Sequence, residues 1–166
     1  MKIKSVVNAL VAGALLFGTA SVQAETFNTY ITTSAAMSDV DNMDNGISAQ
    51  ITYGSRVPEI GKRFFYEAEF TTSIVDPEAP GVDLSYYTLG AYAMFAPNIT
   101  DTMVLRLRAG LLYQNVEVNG KTDDDVEASF GFGVGFDLGK TTNMVVEYTR
   151  HDDDISHISV GIQFKI

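Results

Sequence analysis

Residues 129–138 constrain the fold more than any other stretch of the sequence. Bulky apolar side chains at every second position alternate there with three glycines and one aspartate: Phe130, Phe132, Val134, Phe136 and Leu138 against Gly131, Gly133, Gly135 and Asp137. A period of two predicts a β-strand with one apolar face and one nearly bare face. Glycine weakens a strand whose polar face meets water, but it suits the crowded interior of a small closed barrel. The apolar face of such a barrel points outward into lipid.

The first 24 residues have the pattern of a secretory signal peptide. Lys2 and Lys4 supply a positive start, residues 6–20 are mostly apolar, and Val22-Gln23-Ala24 forms a small-residue cleavage site. The apolar run is short for a membrane helix. We therefore expect a cleaved signal peptide at 1–24 and one exported domain at 25–166, which the strand at 129–138 predicts to be an outer-membrane β-barrel domain.

The charge of the chain argues against nucleic acid as a partner. Loss of residues 1–24 removes two of the 11 basic side chains and none of the 21 acidic ones, which leaves a net charge of −12. Phosphate backbones are bound by Lys and Arg. No motif for a cofactor is present, so we expect none.

Alternation of apolar and polar residues recurs along the whole mature chain. It predicts eight strands, at 27–37, 47–55, 64–73, 84–95, 104–116, 129–138, 144–150 and 157–166. Five of these segments have the roughly nine to eleven residues that a tilted membrane strand needs, and the other three have seven, twelve and thirteen. The prediction is an all-β fold, an eight-stranded antiparallel up-and-down transmembrane β-barrel.

The connections between these strands alternate in charge. Those at 38–46, 76–83, 119–125 and 151–156 contain twelve of the 21 acidic residues: Asp39, Asp41, Asp44, Asp76, Glu78, Asp83, Asp123, Asp124, Asp125, Asp152, Asp153 and Asp154. The other three connections hold Arg56, Lys62, Arg63 and Lys140. If both termini face the periplasm, all four acidic loops lie on the cell surface.

Five charged residues fall on the polar faces of the strands and would point into the barrel. They are Glu67, Glu69, Arg106, Arg108 and Glu147. Buried charges are costly unless they are paired, so we favour a structural ion network that fills the lumen. The alternative is an ion gate or a proton-active pair.

The pattern as a whole resembles a known family, the small outer-membrane β-barrels of the opacity-protein and OmpA/OmpX type. Three strands carry the likeness: Gly131-x-Gly133-x-Gly135-x-Asp137, Val146-Glu147-Tyr148 and the alternating end at 159–166. The last residue is Ile166 where the family usually has Phe, and the aromatic side chain is displaced to Phe164. The resemblance implies an integral protein of the outer membrane of a Gram-negative bacterium, with the barrel assembly machinery as a partner during biogenesis.

One short motif suggests an enzyme. His157-Ile158-Ser159 resembles the His-x-Ser of the outer-membrane lipid A deacylases, in which a histidine activates a serine and an acid orients the histidine. The Asn that follows Ser in that family is Val160 here, and no acid follows in the remaining chain. We therefore favour a chance match and predict no catalytic residues.

Two acidic segments are candidate metal sites. In residues 39–46 the spacing departs from a calcium loop, because Met43 stands at the fifth position and Gln50 at the twelfth. Weak surface binding of Ca²⁺ or Mg²⁺, bridging to lipopolysaccharide phosphates, is the alternative to a solvated rim. His151 to Asp154 with His157 matches no closed transition-metal site, so no metal is predicted.

These observations predict a structural or surface-interaction role for the chain and no enzymatic activity. The acidic loops would serve membrane integrity, adhesion or cation-bridged contacts. Expected partners are outer-membrane lipid, lipopolysaccharide, and a host-surface or protein partner. The alternatives are a lipid A-modifying enzyme, a narrow pore, and a soluble periplasmic lipocalin-like ligand binder whose apolar faces point inward.

Overall fold

The structure is a computed structural model that describes residues 28–40, 45–79, 82–151 and 155–166. The predicted signal peptide lies outside the described residues. The strands are β1 (Thr29–Val40), β2 (Gly46–Arg56), β3 (Phe64–Val75), β4 (Glu78–Ala79), β5 (Val82–Phe95), β6 (Met103–Val118), β7 (Lys121–Asp137), β8 (Thr142–Arg150) and β9 (Ile155–Lys165). The described residues contain no helix long and apolar enough to span a bilayer.

Eight of these strands close into a barrel in which every pairing is antiparallel. Each of these eight strands pairs with the next along the chain, and β1 pairs with β9 to close the barrel. The two-residue strand β4 stands outside this order: β3 pairs directly with β5, and β4 pairs with β5 alone. The predicted eight-stranded up-and-down barrel is confirmed. An even number of strands brings Asn28 and Ile166 to one end, together with the connections at 57–63, 96–102 and 138–141. We call this the turn end, and the opposite end, where Val40, Asp76, Asn119 and His151 lie, the loop end.

The two faces of the wall differ in chemistry. Large apolar side chains on the outer face are exposed, among them Ile51, Phe70, Leu89, Leu111, Phe132 and Val160. Polar side chains fill the interior, among them Thr32, Gln50, Thr71, Thr88, Thr149 and Gln163. This arrangement is the reverse of a lipocalin-like barrel, and it fits a wall that is surrounded by lipid.

Two of the glycines in β7 differ in what surrounds them. A Cβ on Gly133 would run into the carbonyl oxygen of Val146 and lie 2.9 Å from the Cα of Glu147, so close packing of β7 against β8 requires glycine there. At Gly135 the nearest atoms are 3.9 and 4.0 Å away. The expectation that glycine marks crowding therefore holds at Gly133 and does not hold at Gly135, which faces an open cavity.

The third hairpin departs from the predicted connection at 119–125. Strands β6 and β7 continue to Val118 and Lys121, and only Asn119 and Gly120 form the turn, with φ values of 51° and 77°. An Asn-Gly pair with both φ values positive is the preferred two-residue hairpin turn. Its preference for a tight turn prevails over the tendency of the neighbouring aspartates to form a loop. Asp123, Asp124 and Asp125 therefore lie in a strand that projects from the loop end.

Other predicted loop acids also lie in strands. Asp39 is in β1, Glu78 in β4 and Asp83 in β5, while Asp76 lies between β3 and β4. Asp41, Asp44 and Asp152 to Asp154 lie outside the described residues.

Candidate functional site

The five charged residues singled out from the sequence meet in the middle of the barrel. Arg106 on β6 lies between two carboxylates: its Nη2 is 2.5 Å from Glu67 Oε1 and its Nε is 3.1 Å from Glu147 Oε2. Glu67 is on β3 and Glu147 on β8, so neither strand is a neighbour of β6 in the wall. The contacts therefore cross the lumen.

Arg108 makes the second set of contacts. Its guanidinium forms a two-pronged contact with Glu69, its Nε is 2.8 Å from Glu147 Oε1, and its Nη2 donates to Thr149 Oγ1 at 2.7 Å. All five charged side chains are at most 6% exposed. Low exposure strengthens such pairs and makes an unpaired member costly.

Hydroxyl groups and aromatic rings complete this network. It holds three carboxylates against two guanidiniums, and two hydroxyls donate to the carboxylates: Tyr30 to Glu67 Oε1 at 2.6 Å and Thr52 to Glu69 Oε2 at 3.2 Å. The guanidinium carbon of Arg108 lies 4.3 Å from the ring centre of Tyr92. That distance is typical of a cation–π contact.

Tyr30 and Tyr92 were not recognised from the sequence as part of this network. Their positions carry a signal, since both fall on the polar face of an alternating strand. Each ring also occupies the space beside a glycine, Tyr30 beside Gly54 and Tyr92 beside Gly90. Gly90 and Tyr92 are two positions apart on one strand, so the sequence alone carries that signal, whereas Tyr30 and Gly54 lie on neighbouring strands and meet only through the register of β1 and β2.

A second polar cluster lies inside the barrel near the loop end. Tyr86 shares hydrogen bonds with Ser38 and with Ser48 at 2.5 Å, and its hydroxyl lies 2.9 Å from His157 Nε2. His157 Nδ1 is in turn 2.7 Å from His151 Nε2. All five residues are buried. The chain of hydrogen bonds links β1, β2, β5 and β9 to the segment that follows β8.

The surroundings of His151 disfavour the charged form of its imidazole. Burial, the neighbouring His157 and the positive charge of Arg108 hold the pKa of His151 well below its ordinary value of 6.5. Its backbone N–H donates to Ile155 O at 3.0 Å, while its Nδ1 is buried without a partner among the described residues.

The His-x-Ser motif does not form a catalytic pair in this structure. Ser159 Oγ donates to the backbone oxygen of Glu147 at 3.4 Å, whereas both ring nitrogens of His157 are engaged by Tyr86 and His151. Both side chains point into the polar interior and away from the lipid-facing surface on which a lipid substrate would lie.

The described acidic residues of the loop end are mostly exposed on the projecting hairpin. The amide of Asp124 donates to Asp123 Oδ1 at 3.1 Å and that of Val126 to Asp125 Oδ1 at 2.7 Å. Within the described ranges, no three His, Asp or Glu side chains are close enough together to hold a metal ion.

Comparison with known proteins points to one class. Residues 9–164 match the family model described as outer membrane protein beta-barrel domain. A comparison with curated protein sequences finds no match.

Solved structures with the same fold are membrane barrels. Neisserial surface protein A is 18% identical with a TM-score of 0.67, over 83% of this chain and 97% of that chain. Ail of Yersinia pestis, in complex with the heparin analogue sucrose octasulfate, is 14% identical with a TM-score of 0.60, over 84% and 98%. The N-terminal β-barrel domain of Pseudomonas aeruginosa OprF is 10% identical with a TM-score of 0.58, over 82% and 97%. At these identities the likeness concerns the fold alone.

Proposed function

Because the chain belongs to the family of outer membrane protein β-barrel domains, we propose that it is a surface-interaction protein: a filled barrel that presents an acidic hairpin to binding partners and catalyses no reaction. Membership of the family makes it an integral protein of the outer membrane of a Gram-negative bacterium. The loop end then faces the cell surface, and the apolar outer face contacts outer-membrane lipid.

The observation that carries this proposal is the free edge of β7. Residues 121–129 pair with β6 on one side, whereas pairing with β8 begins only at Phe130. Among the described residues no strand covers the other side of residues 121–126. The edge amides of Asp124 and Val126 donate instead to neighbouring aspartates. An uncovered edge can accept an added strand from a partner.

The charge of this edge indicates the class of partner. Glu117, Asp123, Asp124 and Asp125 are exposed on the hairpin, and Lys121 is the basic side chain beside them. A basic extended peptide segment would gain both backbone hydrogen bonds and charge complementarity. A sulfated polyanion such as the one bound by Ail would be repelled here, so that ligand is not carried over.

The ion network inside the barrel is consistent with a structural role for the barrel, as the support from which the hairpin projects. Eight strands leave an interior that side chains fill, and five paired charges occupy its middle. Lipopolysaccharide, through bridging divalent cations, and the barrel assembly machinery are further partners that we expect.

The test uses purified protein in detergent and a peptide of alternating Lys and Val. We expect saturable binding that weakens as salt is added, and a loss of affinity of about tenfold when Asp123, Asp124 and Asp125 are all replaced by Asn. Asp101→Asn, an exposed change at the turn end, is the matched control and should bind as the wild type does.

A second variant separates strand addition from simple charge attraction. Val126→Pro removes one edge N–H and leaves every aspartate in place. Weaker binding by Val126→Pro supports strand addition. Binding that the triple Asn variant retains in full would overturn the proposed function.

A further inference from the structure

The turn end of the barrel opens into a cavity of about 520 Å³, which we call the vestibule. It lies inside the ring of strands, with Arg106 and Gln163 at its inner limit and Gly135 in its wall. A cavity of this size falls within the range of small-molecule sites, about 300–1,000 Å³. It is at the opposite end of the molecule from the acidic hairpin.

The vestibule is cationic in a protein that is acidic overall. Six basic side chains line it, Arg56, Lys62, Arg63, Arg106, Lys140 and Lys165, against the two acids Asp101 and Asp137. Arg106 is engaged in the ion network, and Lys165 pairs with Asp137 at 3.1 Å. Among the described residues that line the vestibule, Asp101 is the one further carboxylate beside the four other cations. Clefts lined by one sign of charge concentrate ligands of the opposite sign.

The guanidinium of Arg56 is oriented by two contacts and is available to bind an anion. Its guanidinium lies over the ring of Phe65, 5.5 Å from the ring centre, and its Nη1 donates to Asn28 Oδ1 at 3.2 Å. Its Nε is buried and has no hydrogen-bond partner among the described residues. The planar fork of Arg matches the geometry of carboxylate and phosphate groups.

The inner wall offers an acceptor that also lacks a partner. The Oδ1 atom of Asn143 is buried without a hydrogen bond among the described residues, and Asn143 is 7% exposed. Buried polar atoms of this kind require an explanation, and a bound group that donates an N–H would supply one. A ligand that bonds to both of these atoms would place an anionic group at Arg56 Nε and donate an N–H to Asn143 Oδ1.

We propose that the vestibule is a binding site for a short acidic peptide, held by carboxylate contacts to Arg56, Arg63 and Lys140 and by an amide N–H donated to Asn143. This site is separate from the hairpin and does not depend on the function proposed for it. The proposed occupant is not a lipid headgroup, because the cavity is enclosed by the ring of strands and does not open onto the lipid-facing side of the wall.

The experiment titrates protein purified from outer membranes with N-acetyl-Glu-Glu and records backbone NMR shifts together with the heat of binding. We expect saturation, with shifts at Arg56, Asn143 and Gln163, and no response to the neutral N-acetyl-Gln-Gln amide. Inorganic phosphate should compete only weakly, because it has a single anionic centre and no amide N–H to donate to Asn143. Equal binding of the neutral peptide, shifts confined to the loop end, or no binding would each overturn the proposal.

Variants tie the binding to the vestibule. Arg56→Gln should lower the affinity about tenfold, as expected for loss of a charge-assisted hydrogen bond. Lys140→Gln, an exposed change that folding tolerates, should also weaken binding. Lys121→Gln, which removes the same charge at the loop end, should have no effect. An equal loss in Lys121→Gln would show general charge attraction and contradict the proposal.

Discussion

Arg106 Nη2 lies 2.5 Å from Glu67 Oε1 across the lumen, and β5 separates their strands in the wall. The same carboxylate oxygen accepts the hydroxyl of Tyr30 at 2.6 Å, which brings in a third strand. The barrel therefore has its apolar surface outside and its most concentrated ionic contacts inside. These polar contacts join strands across the lumen, in addition to the backbone hydrogen bonds between β1 and β9 that close the wall.

Replacement of Arg106 by Met should destabilise the barrel strongly. The change leaves Arg108 as the one cation in contact with the three buried carboxylates Glu67, Glu69 and Glu147, at a cost of about 3–5 kcal/mol. Urea titration followed by circular dichroism in detergent micelles measures the loss. Lys165→Met is the matched control, because its pair with Asp137 is partly exposed and should contribute at most about 1 kcal/mol. Equal losses in the two variants would contradict this account.

Two alanine substitutions in β7 should differ although they lie on the same face. Gly133→Ala places a Cβ against the backbone of Glu147 and Val146 and should cost about 1–3 kcal/mol. Gly135→Ala points into the vestibule, where the nearest atom is 3.9 Å away, and should be close to neutral. The free energies of unfolding of both variants decide the point, and indistinguishable values would mean that β7 and β8 are not packed as described.

Stability should fall as the pH is lowered from about 7 to about 5.5. The pKa of His151 is held well below 6.5 in the folded protein, so the unfolded chain takes up a proton in this window and the folded chain does not. Stability contributed by neutral His151 is thus present above the unfolded pKa and is lost as the pH falls below it. His151→Gln should make unfolding less dependent on pH in this window, and an unchanged slope would refute the assignment.

Ser159→Ala should leave lipid A unchanged. Ser159 Oγ donates to the backbone oxygen of Glu147 inside the barrel, and Tyr86 and His151 engage both ring nitrogens of His157, so this geometry does not place His157 to take the proton of Ser159. Mass spectrometry of lipid A from cells with the wild-type protein and with the variant checks this. A species present only with the wild type would restore the enzymatic hypothesis.

The barrel could be predicted from the sequence because alternation is a local signal. The segment 129–138 shows its two faces directly, and all eight predicted strands lie where the barrel strands are. The third hairpin was predicted too short because the run Asp123 to Asp125 suggested a loop, although Asn119-Gly120 marks the turn. Pairing with β6 overrides the low strand preference of aspartate.

The interior could be predicted in part. Alternation identified which charges face the lumen, but partners such as Arg106 and Glu147 are 41 residues apart and depend on register across the barrel. The vestibule could not be foreseen, since it results from where side chains such as those of Arg56 and Asn143 leave space. The link between Tyr86 and His157 likewise joins residues 71 positions apart.

Heat modifiability shows whether the folded chain is a closed barrel in the outer membrane. Membranes are fractionated, and the protein is run on a detergent gel with and without boiling. A closed barrel with an apolar outer face should be found in the outer membrane and should change its mobility on boiling, since detergent at room temperature does not open it. Recovery in the soluble periplasm with no change in mobility would contradict the lipid-facing barrel, and with it the surface exposure of the acidic hairpin.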